Sequence, residues 1–204
     1  MSRIVDPLMR AYYDRRAPEY DDWWLGTGLF AERDRPGWDE EVEALVSLVE
    51  SLPPCRVLDV ACGTGFLTRH LRGEVTGLDQ SPRMLEIAAE RMPEATVVCA
   101  DASPLPFDDG TFDRVFTSHF YGHLLPGERE AFLAEALRVG AELVLADAAR
   151  RPDQPPELWQ ERVLNDGTVH RVYKRYFTPE ELAAEMGGGT VLHAGDWFVA
   201  ARAG

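Results

Sequence analysis

The chain has 204 residues, which is enough for one well-buried core and short for two. Its 35 Asp and Glu residues outnumber its 21 Lys and Arg residues, and the formal net charge of −14 argues against a nucleic-acid partner because phosphate binding needs clustered cations. No apolar run approaches the length of a membrane span, and the first residues lack a signal-peptide pattern. The three cysteines lack metal spacing and are typical of reduced thiols. We therefore expect a cytoplasmic protein without membrane insertion.

The N-terminal segment is unusually aromatic, since it contains Tyr12, Tyr13, Tyr20, Trp23 and Trp24. One interpretation is a cap that closes over a bound ligand, and the other is a helix whose rings pack against a sheet. We expect the aromatic residues to divide between these two roles, with Tyr12 and Tyr20 facing the ligand and at least one tryptophan in the core.

A helix is predicted next over 38–52, because apolar residues recur there at helical spacing until Pro53-Pro54 terminates the pattern. A buried strand, Cys55–Val60, follows and carries Asp59 one residue before its end. It leads into the small-residue turn Ala61-Cys62-Gly63-Thr64-Gly65, after which we expect another helix. A ligand can approach the backbone closely at such a turn, and the free N–H groups of a helix N-terminus would point at it.

Two further apolar strands each lead to an acid, with Val75–Leu78 before Asp79 and Thr96–Ala100 before Asp101. Between them, Ser81-Pro82 predicts the start of a helix. The turn does not fit a dinucleotide fingerprint, whose third glycine falls three residues after the second. The carboxylate of Asp79 can instead accept hydrogen bonds from both hydroxyls of a ribose, and Asp101 is placed to face an amino group on a base.

The fourth strand, Arg114–Thr117, precedes Ser118 and two histidines, His119 and His123. Either imidazole would lie beside the bound ligand and could act as a general base near neutral pH. The alternative is structural, with His123 bonded to backbone near the next helix and His119 packed at the strand tip. A helix over 128–137 and a strand over 142–146 complete an alternation that predicts a parallel sheet covered on both faces.

The pattern changes after Asp147. Residues 150–156 are rich in proline and charge and predict a loop, while Asn165-Asp166-Gly167 predicts a hairpin between 162–164 and 168–173. We expect the pairs Arg150-Arg151 and Lys174-Arg175 to lie on the solvated surface. Thr178-Pro179-Glu180-Glu181 predicts a capped short helix, and a final pair of strands is predicted over 190–193 and 197–201.

Together these motifs resemble the class I S-adenosylmethionine-dependent methyltransferases. The resemblance is carried by Leu58–Gly65, Gly77–Leu85, Ala100–Ala102 and Leu105–Asp113, the last of which is similar to the small-molecule branch that includes methyltransferase type 11 and the ubiquinone-menaquinone methyltransferases. It implies a Rossmann-like, doubly wound α/β fold with a seven-stranded sheet, mostly parallel with the last strand antiparallel, and helices on both faces. It also implies one domain over residues 1–204, with an N-terminal cap at about 6–36 and an insertion at about 148–177 over the active site.

The resemblance implies S-adenosylmethionine as methyl donor and S-adenosylhomocysteine as product. The residues expected to bind this cofactor come from the cap, the glycine turn and the strand ends: Tyr12, Arg16, Tyr20, Asp59, Ala61, Gly63, Thr64, Gly65, Asp79, Gln80, Met84, Asp101, Ala102 and Ser118. Arg16 would pair with the cofactor's carboxylate, or alternatively form a surface ion pair with Asp14 or Glu19. His119 and His123 are the candidate catalytic bases, and no metal site is expected.

The leading hypothesis is an enzyme that transfers a methyl group to a small-molecule acceptor by in-line displacement. A non-catalytic S-adenosylmethionine-binding protein is the alternative, and a nicotinamide-dependent oxidoreductase is disfavoured by the glycine spacing. The aromatic cap, together with Trp159, Tyr173 and Tyr176, favours an aromatic or partly apolar acceptor. Oxygen, nitrogen and carbon acceptors remain open, and so does the oligomeric state.

Overall fold

The computed structural model describes residues 7–204, so the first residue of the predicted cap lies outside the described residues. The strands are β1 Cys55–Val60, β2 Gly73–Asp79, β3 Thr96–Cys99, β4 Phe112–Ser118, β5 Gly140–Ala148, β6 Glu157–Val163, β7 Val169–Arg175, β8 Thr190–Ala194 and β9 Phe198–Ala203. The helices are α1 Pro7–Arg16, α2 Asp22–Leu25, α3 Trp38–Ser51, α4 Pro82–Arg91, α5 Pro126–Val139 and α6 Pro179–Glu185.

Seven strands form one sheet in the order β3-β2-β1-β4-β5-β9-β8, and β6 and β7 form a separate hairpin. The first five strands pair in parallel, and β9 lies antiparallel between β5 and β8. This confirms the predicted seven-stranded, mostly parallel α/β fold. The strand order reverses between β1 and β4, and a ligand crevice is expected at the carboxyl ends of strands at such a switch point.

The sheet is covered on both faces because successive strand residues point to opposite sides. On one face, Leu58 and Leu143 pack in a cluster with Phe132 of α5 and Leu182 of α6. On the other face, Val57, Phe116 and Val144 pack with residues from α2 and α3, including Trp24 and Leu45. Trp24 is therefore a core residue, which confirms the expectation that at least one cap tryptophan is buried.

Several local predictions are confirmed in detail. The hydroxyl oxygen of Ser81 accepts a hydrogen bond from the N–H of Met84 at 3.2 Å and caps α4. Thr178 and Glu181 exchange side-chain and backbone hydrogen bonds at the start of α6, as a capping box should. The hairpin also forms, although its strands are longer than predicted.

One predicted element is wrong. The glycine turn is not followed by an α-helix, and the connection from β1 to β2 contains a single short 3-10 turn, Thr68–His70. Because β1 ends at Val60 and β2 begins at Gly73, the connection is close to the minimum of about a dozen residues that a parallel crossover requires. The turn and the return path leave too little chain for a regular helix.

The cap and the hairpin contact one another across the carboxyl ends of the strands. The rings of Tyr12 and His170 lie 4.9 Å apart, and Glu19 accepts a hydrogen bond from the N–H of Asn165 at 2.9 Å. Within residues 7–204, no helix combines the length and apolar character needed to cross a bilayer.

Candidate active site

Two adjoining cavities open at the carboxyl ends of the central strands. The smaller one has a volume of about 710 Å³, counting its open mouth, and is lined by Ala61 and Gly63 after β1, by Asp79 at the end of β2 and by Ser118 at the end of β4. The larger one encloses about 2190 Å³, counting its open mouth, and lies between the cap, the hairpin and the sheet. The two share four residues, Tyr13, Tyr20, His119 and His123. Groups bound in the two cavities would therefore meet at these side chains.

The glycine turn forms the floor of the small cavity. Gly63 has a φ of +57°, and a Cβ placed on it would lie 3.6 Å from the ring of Tyr20, so the ring lies directly over the bare backbone. Ala61 also has a positive φ of 60°, a conformation that costs an alanine roughly 1–2 kcal/mol. Gly65 has a different role, because a Cβ there would come within 2.9 Å of the Met92 side chain and Gly65 lines neither cavity.

Asp79 is buried at the wall of the small cavity. Its carboxylate accepts hydrogen bonds from the N–H of Gly63 at 2.9 Å and from the N–H of Ser81 at 2.8 Å. Burial raises the pKa of Asp79 to about 6, an effect that these N–H groups oppose. Each carboxylate oxygen has a second lone pair, so Asp79 can hold the turn in shape and still accept hydrogen bonds from a ligand.

Asp59 lies beneath the turn and does not reach either cavity. It is 1% exposed, and its Oδ2 accepts a hydrogen bond from the hydroxyl of Thr68 at 2.5 Å, while its Oδ1 has no partner in the described part of the chain. Burial raises the pKa of Asp59 to about 8, and the hydrogen bond from Thr68 opposes the shift. The carboxyl group therefore supports the connection between β1 and β2 from inside the fold.

We expect Asp59 to make stability depend on pH between 5 and 8. Its pKa in the folded protein, about 8, lies above the unfolded value of about 3.9, so its contribution is complete at low pH and is lost as the pH rises through 8. Relative to Asp59→Asn, the wild type should lose up to about 1.4 kcal/mol of unfolding free energy per pH unit. Urea unfolding at pH 5, 6.5 and 8 measures this difference.

Asp113→Asn is the matched control, because the Asp113 carboxylate is exposed, paired with Arg56 and has a lowered pKa. It stays ionised across this range in both states, so this variant should follow the wild type. If Asp59→Asn and wild-type stabilities change in parallel with pH, the buried proton on Asp59 is absent.

Thr64 and Asp101, two other predicted cofactor residues, also lie outside the lining of both cavities. The Thr64 hydroxyl donates to Asp21 at 2.6 Å, and Arg91 bonds to both of these residues, so this group fastens the cap to the glycine turn. Asp101 is half-buried between Ala100 and Ala102, which do line the small cavity. Its contact with a base stays a prediction. The other predicted residues that line the small cavity are Gln80, Met84 and Ala102.

The cap places Tyr12 and Arg16 in the wall of the large cavity. Arg16 is 7% exposed, donates to the Tyr12 hydroxyl at 2.6 Å and lies 5.0 Å above the ring of Tyr20. The surface ion pair considered for Arg16 is wrong, because Asp14 accepts instead from the Ser81 hydroxyl and Glu19 from the N–H of Asn165. Arg16 is thus free of a carboxylate among the described residues and close to the turn.

His119 occupies an aromatic enclosure at the tip of β4. Its ring centroid lies 4.8 Å from Trp23, 4.9 Å from Trp24 and 5.3 Å from Phe198, and its Nε2 has no partner among residues 7–204. Burial lowers the pKa of His119 to about 3, so the imidazole is neutral. Its φ of +53° is an unusual conformation for a residue other than glycine, and it turns the chain toward the cavities.

His123 is held in a defined tautomer. Its Nδ1 lies 2.7 Å from the carbonyl oxygen of Tyr173, and because a carbonyl can only accept, Nδ1 carries the proton and Nε2 carries a lone pair. Burial, followed by the nearby charges of Lys174 and Arg162, holds the pKa of His123 well below its usual value. His123 therefore offers a neutral acceptor nitrogen, Nε2, and lines both cavities. Its hydrogen bond to backbone joins it to the hairpin, whereas the structural alternative expected a bond near the next helix.

The hairpin contributes residues that the sequence interpretation missed or misplaced. Lys174 was expected on the solvated surface but is 4% exposed and pairs with Asp147 at 2.5 Å, because its position in β7 turns it inward. Arg162 and Gln160 also line the large cavity. By contrast, Trp159 is 50% exposed and lines neither cavity, so the expected aromatic contribution of this segment to the pocket comes from Tyr176 alone. The alternation of side chains along β6 and β7 could have predicted which of these residues face inward.

Comparison with known protein families identifies related sequences. A family model described as a methyltransferase domain matches residues 57–142. The demethylmenaquinone methyltransferase of Lactiplantibacillus plantarum is 33% identical over 168 residues, which are 74% of this chain and 68% of the relative. That of Thermotoga maritima is 35% identical over 134 residues, which are 62% of this chain and 54% of the relative. The chain thus spans little more than half the length of some curated relatives.

Solved structures with the same architecture include two complexes of DhpI. The DhpI–SAM–HEP complex has 26% sequence identity and a TM-score of 0.80, with 99% of this chain and 98% of that chain aligned. The DhpI–SAH complex has 25% identity and a TM-score of 0.76, with 96% and 94% aligned. The similarity therefore includes the N-terminal segment and the hairpin as well as the sheet.

Proposed function

The chain belongs to the class I S-adenosylmethionine-dependent methyltransferases of the small-molecule branch, and we propose that it transfers a methyl group from S-adenosylmethionine to a small-molecule acceptor. The observation that carries this proposal is the meeting of the two cavities at Tyr13, Tyr20, His119 and His123. The small cavity lies against the glycine turn and the strand-end acid, where a nucleoside-like cofactor is expected, and the large one can hold the acceptor.

In this proposal the small cavity binds the cofactor through the strand-end residues. Asp79 accepts hydrogen bonds from the ribose hydroxyls, and the bare backbone at Ala61 and Gly63 allows the amino-acid end to lie against the turn. Arg16 pairs with the carboxylate of the cofactor, since it is buried, lacks a carboxylate partner within residues 7–204 and lies over Tyr20. Asp101 faces the amino group of the adenine.

Bound S-adenosylmethionine supplies a methyl group that is already activated by its sulfonium sulfur. The chain has to hold the acceptor atom in line with the methyl carbon and sulfur and to exclude water. The bond from the acceptor atom to the methyl carbon forms as the sulfur–carbon bond breaks, and its electrons stay on sulfur. Where the acceptor loses a proton, Nε2 of His123 receives it, while Tyr173 holds the ring through Nδ1.

We assign the acceptor to the large cavity because the cap, about 6–36, and the insertion, about 148–177, both contribute to its wall and would enclose it within a single domain. The rings of Phe30, Trp38, Tyr176 and Trp197 line this cavity and support an aromatic or partly apolar acceptor. The three free thiols, Cys55, Cys62 and Cys99, fit a reducing compartment, and we propose a cytoplasmic location.

Saturating S-adenosylhomocysteine should raise the melting temperature by about 5–10 °C. A ligand at a hundred times its Kd adds about 2.7 kcal/mol to the stability of the folded state, and a domain of this size gains roughly 2–4 °C per kcal/mol. Differential scanning fluorimetry with and without ligand measures the shift, and NADH is the control ligand that should leave the curve unchanged. Identical curves with S-adenosylhomocysteine would overturn the proposed function. Binding without turnover of any acceptor would support the non-catalytic alternative.

A further inference from the structure

The wall of the large cavity has a charge opposite to that of the whole protein. The chain carries a net charge of −14, yet the lining of this cavity includes more basic than acidic side chains. Its six basic residues are Arg16, Arg33, Arg35, Arg151, Arg162 and Lys174. Its acidic residues are Glu19, Asp34 and Glu161. A concave basic surface on an acidic protein concentrates anions and repels cations.

The hairpin places two basic side chains on the side that faces the cavity. Arg162 of β6 lies in the large cavity, as does Lys174 of β7. The opposite face carries Trp159 and Val169, which are at least half exposed, together with the exposed charges of Glu157 and Arg171. Burial of a cation costs free energy unless it is paired or hydrogen-bonded. The inward cations therefore require a compensating interaction on the inside.

Lys174 obtains part of that compensation from Asp147, at 2.5 Å. The same carboxylate also accepts hydrogen bonds from the N–H groups of Gly122 and Ala148, both at 2.7 Å, so most of its acceptor positions are used by the fold. Arg16 and Arg162 have no carboxylate partner among residues 7–204. Arg16 donates to the Tyr12 hydroxyl, and Arg162 contacts Gln160 at 3.4 Å and also interacts with Tyr12. Two guanidinium groups at one wall thus lack counter-charges.

The remaining cations of the wall lie over aromatic rings. Arg35 lies 4.0 Å above the ring of Trp38, and Arg151 lies 4.4 Å above that of Trp197. The positive field reaches the junction of the cavities, since Lys174 and Arg162 add to burial in lowering the pKa of His123. The cavity therefore offers flat apolar surfaces together with cationic groups.

We propose that the acceptor carries an anionic oxygen group, a carboxylate or a phosphonate or phosphate, which Arg162 binds with Lys174 alongside it. The inference rests on the proposed methyl transfer and specifies the acceptor class. Arg16 and Arg162 both line the large cavity alone. Arg16 lies over the ring of Tyr20, which contacts the glycine turn, and is assigned to the carboxylate of the cofactor, so Arg162 is left for the acceptor. The planar guanidinium matches the paired oxygens of such groups, and the apolar part of the acceptor packs on Trp38 and Trp197.

The test uses the full chain saturated with S-adenosylhomocysteine, so that the cofactor's own carboxylate is already in place. Benzoate, phenylphosphonate and benzamide are titrated by isothermal calorimetry, and the three differ in charge while sharing one ring. At least one anion should bind roughly tenfold or more tightly than benzamide, and comparison of benzoate with phenylphosphonate identifies the preferred anion. Arg162→Gln should lower the affinity for that anion roughly tenfold or more and leave the affinity for S-adenosylhomocysteine within twofold.

Arg171→Gln is the matched control, because it removes the same charge from the same hairpin at a residue that lies over Trp159 and lines neither cavity. It should bind the anion as the wild type does. Three results would each overturn the inference. Benzamide could bind as tightly as both anions, neither anion could bind, or Arg162→Gln and the wild type could bind the anion with equal affinity. Failure of the wild type to bind S-adenosylhomocysteine would instead overturn the proposed function. In that case the anion affinities of the wild type and of Arg162→Gln are compared without S-adenosylhomocysteine, which still tests the anion site.

Discussion

Replacing His123 by asparagine is expected to lower kcat by roughly 10²-fold, the low end of the contribution of a positioned general base, because burial lowers the pKa of His123 and makes it a weak base. The amide nitrogen of asparagine can stand where Nδ1 now donates to the carbonyl oxygen of Tyr173, so the bond to the hairpin is kept. Nothing replaces the lone pair of Nε2 at the junction of the cavities. Turnover is measured as S-adenosylhomocysteine formed with an acceptor that loses a proton when it is methylated, and the affinity for S-adenosylhomocysteine should stay within twofold.

His193→Asn is the control for this substitution, because His193 contacts Glu41 and lines neither cavity. It should keep the wild-type kcat. The tautomer of His123 is checked without any acceptor by the ¹⁵N chemical shifts of its ring, which should show a protonated Nδ1 and an unprotonated Nε2 at pH 7. A kcat for His123→Asn within threefold of the wild type would mean that the enzyme works by positioning alone.

The parts of the site that the sequence predicts well are those that depend on local chain geometry. A buried strand followed by Ala61, Gly63 and Gly65 can turn in few ways, and Asp79 at the end of the adjacent parallel strand must lie beside that turn. Their hydrogen bond, between the Gly63 N–H and the Asp79 carboxylate, follows from this register. The helix caps at Ser81 and Thr178 are local in the same sense.

The features that the sequence did not predict depend on how distant segments meet. The missing helix after the glycine turn follows from the length of chain left before β2, a constraint that a motif does not contain. Lys174 looks like a surface residue until β7 packs beside the short 3-10 turn at Tyr121–His123 and brings it to Asp147. Likewise, Asp59 shares the motif of the turn, yet β1 is covered on both faces and its carboxyl group is buried beneath the turn.

Replacing Asp79 by alanine is expected to weaken binding of S-adenosylhomocysteine by roughly 10²–10⁴-fold. Two hydrogen bonds from ribose hydroxyls to a buried carboxylate are worth about 1.5–3 kcal/mol each, and both are lost. The substitution also leaves the N–H groups of Gly63 and Ser81 without their partner, so the unliganded protein should become less stable as well. Calorimetric titration gives the affinity, and thermal melting of the unliganded variant shows what fraction is folded.

The contribution of the ribose contact is separated from damage to the turn by changing the ligand as well as the protein. S-adenosylhomocysteine without its 2′-hydroxyl should bind the wild type roughly tenfold more weakly than the complete ligand, but Asp79→Ala should bind the two almost equally, because the acceptor of that hydroxyl is gone. Asp113→Ala removes an exposed carboxylate paired with Arg56, on a residue that lines neither cavity, and should reproduce the wild-type discrimination. If Asp79→Ala discriminates between the two ligands as strongly as the wild type does, the ribose is held by another group and the cofactor lies in the small cavity in a different orientation.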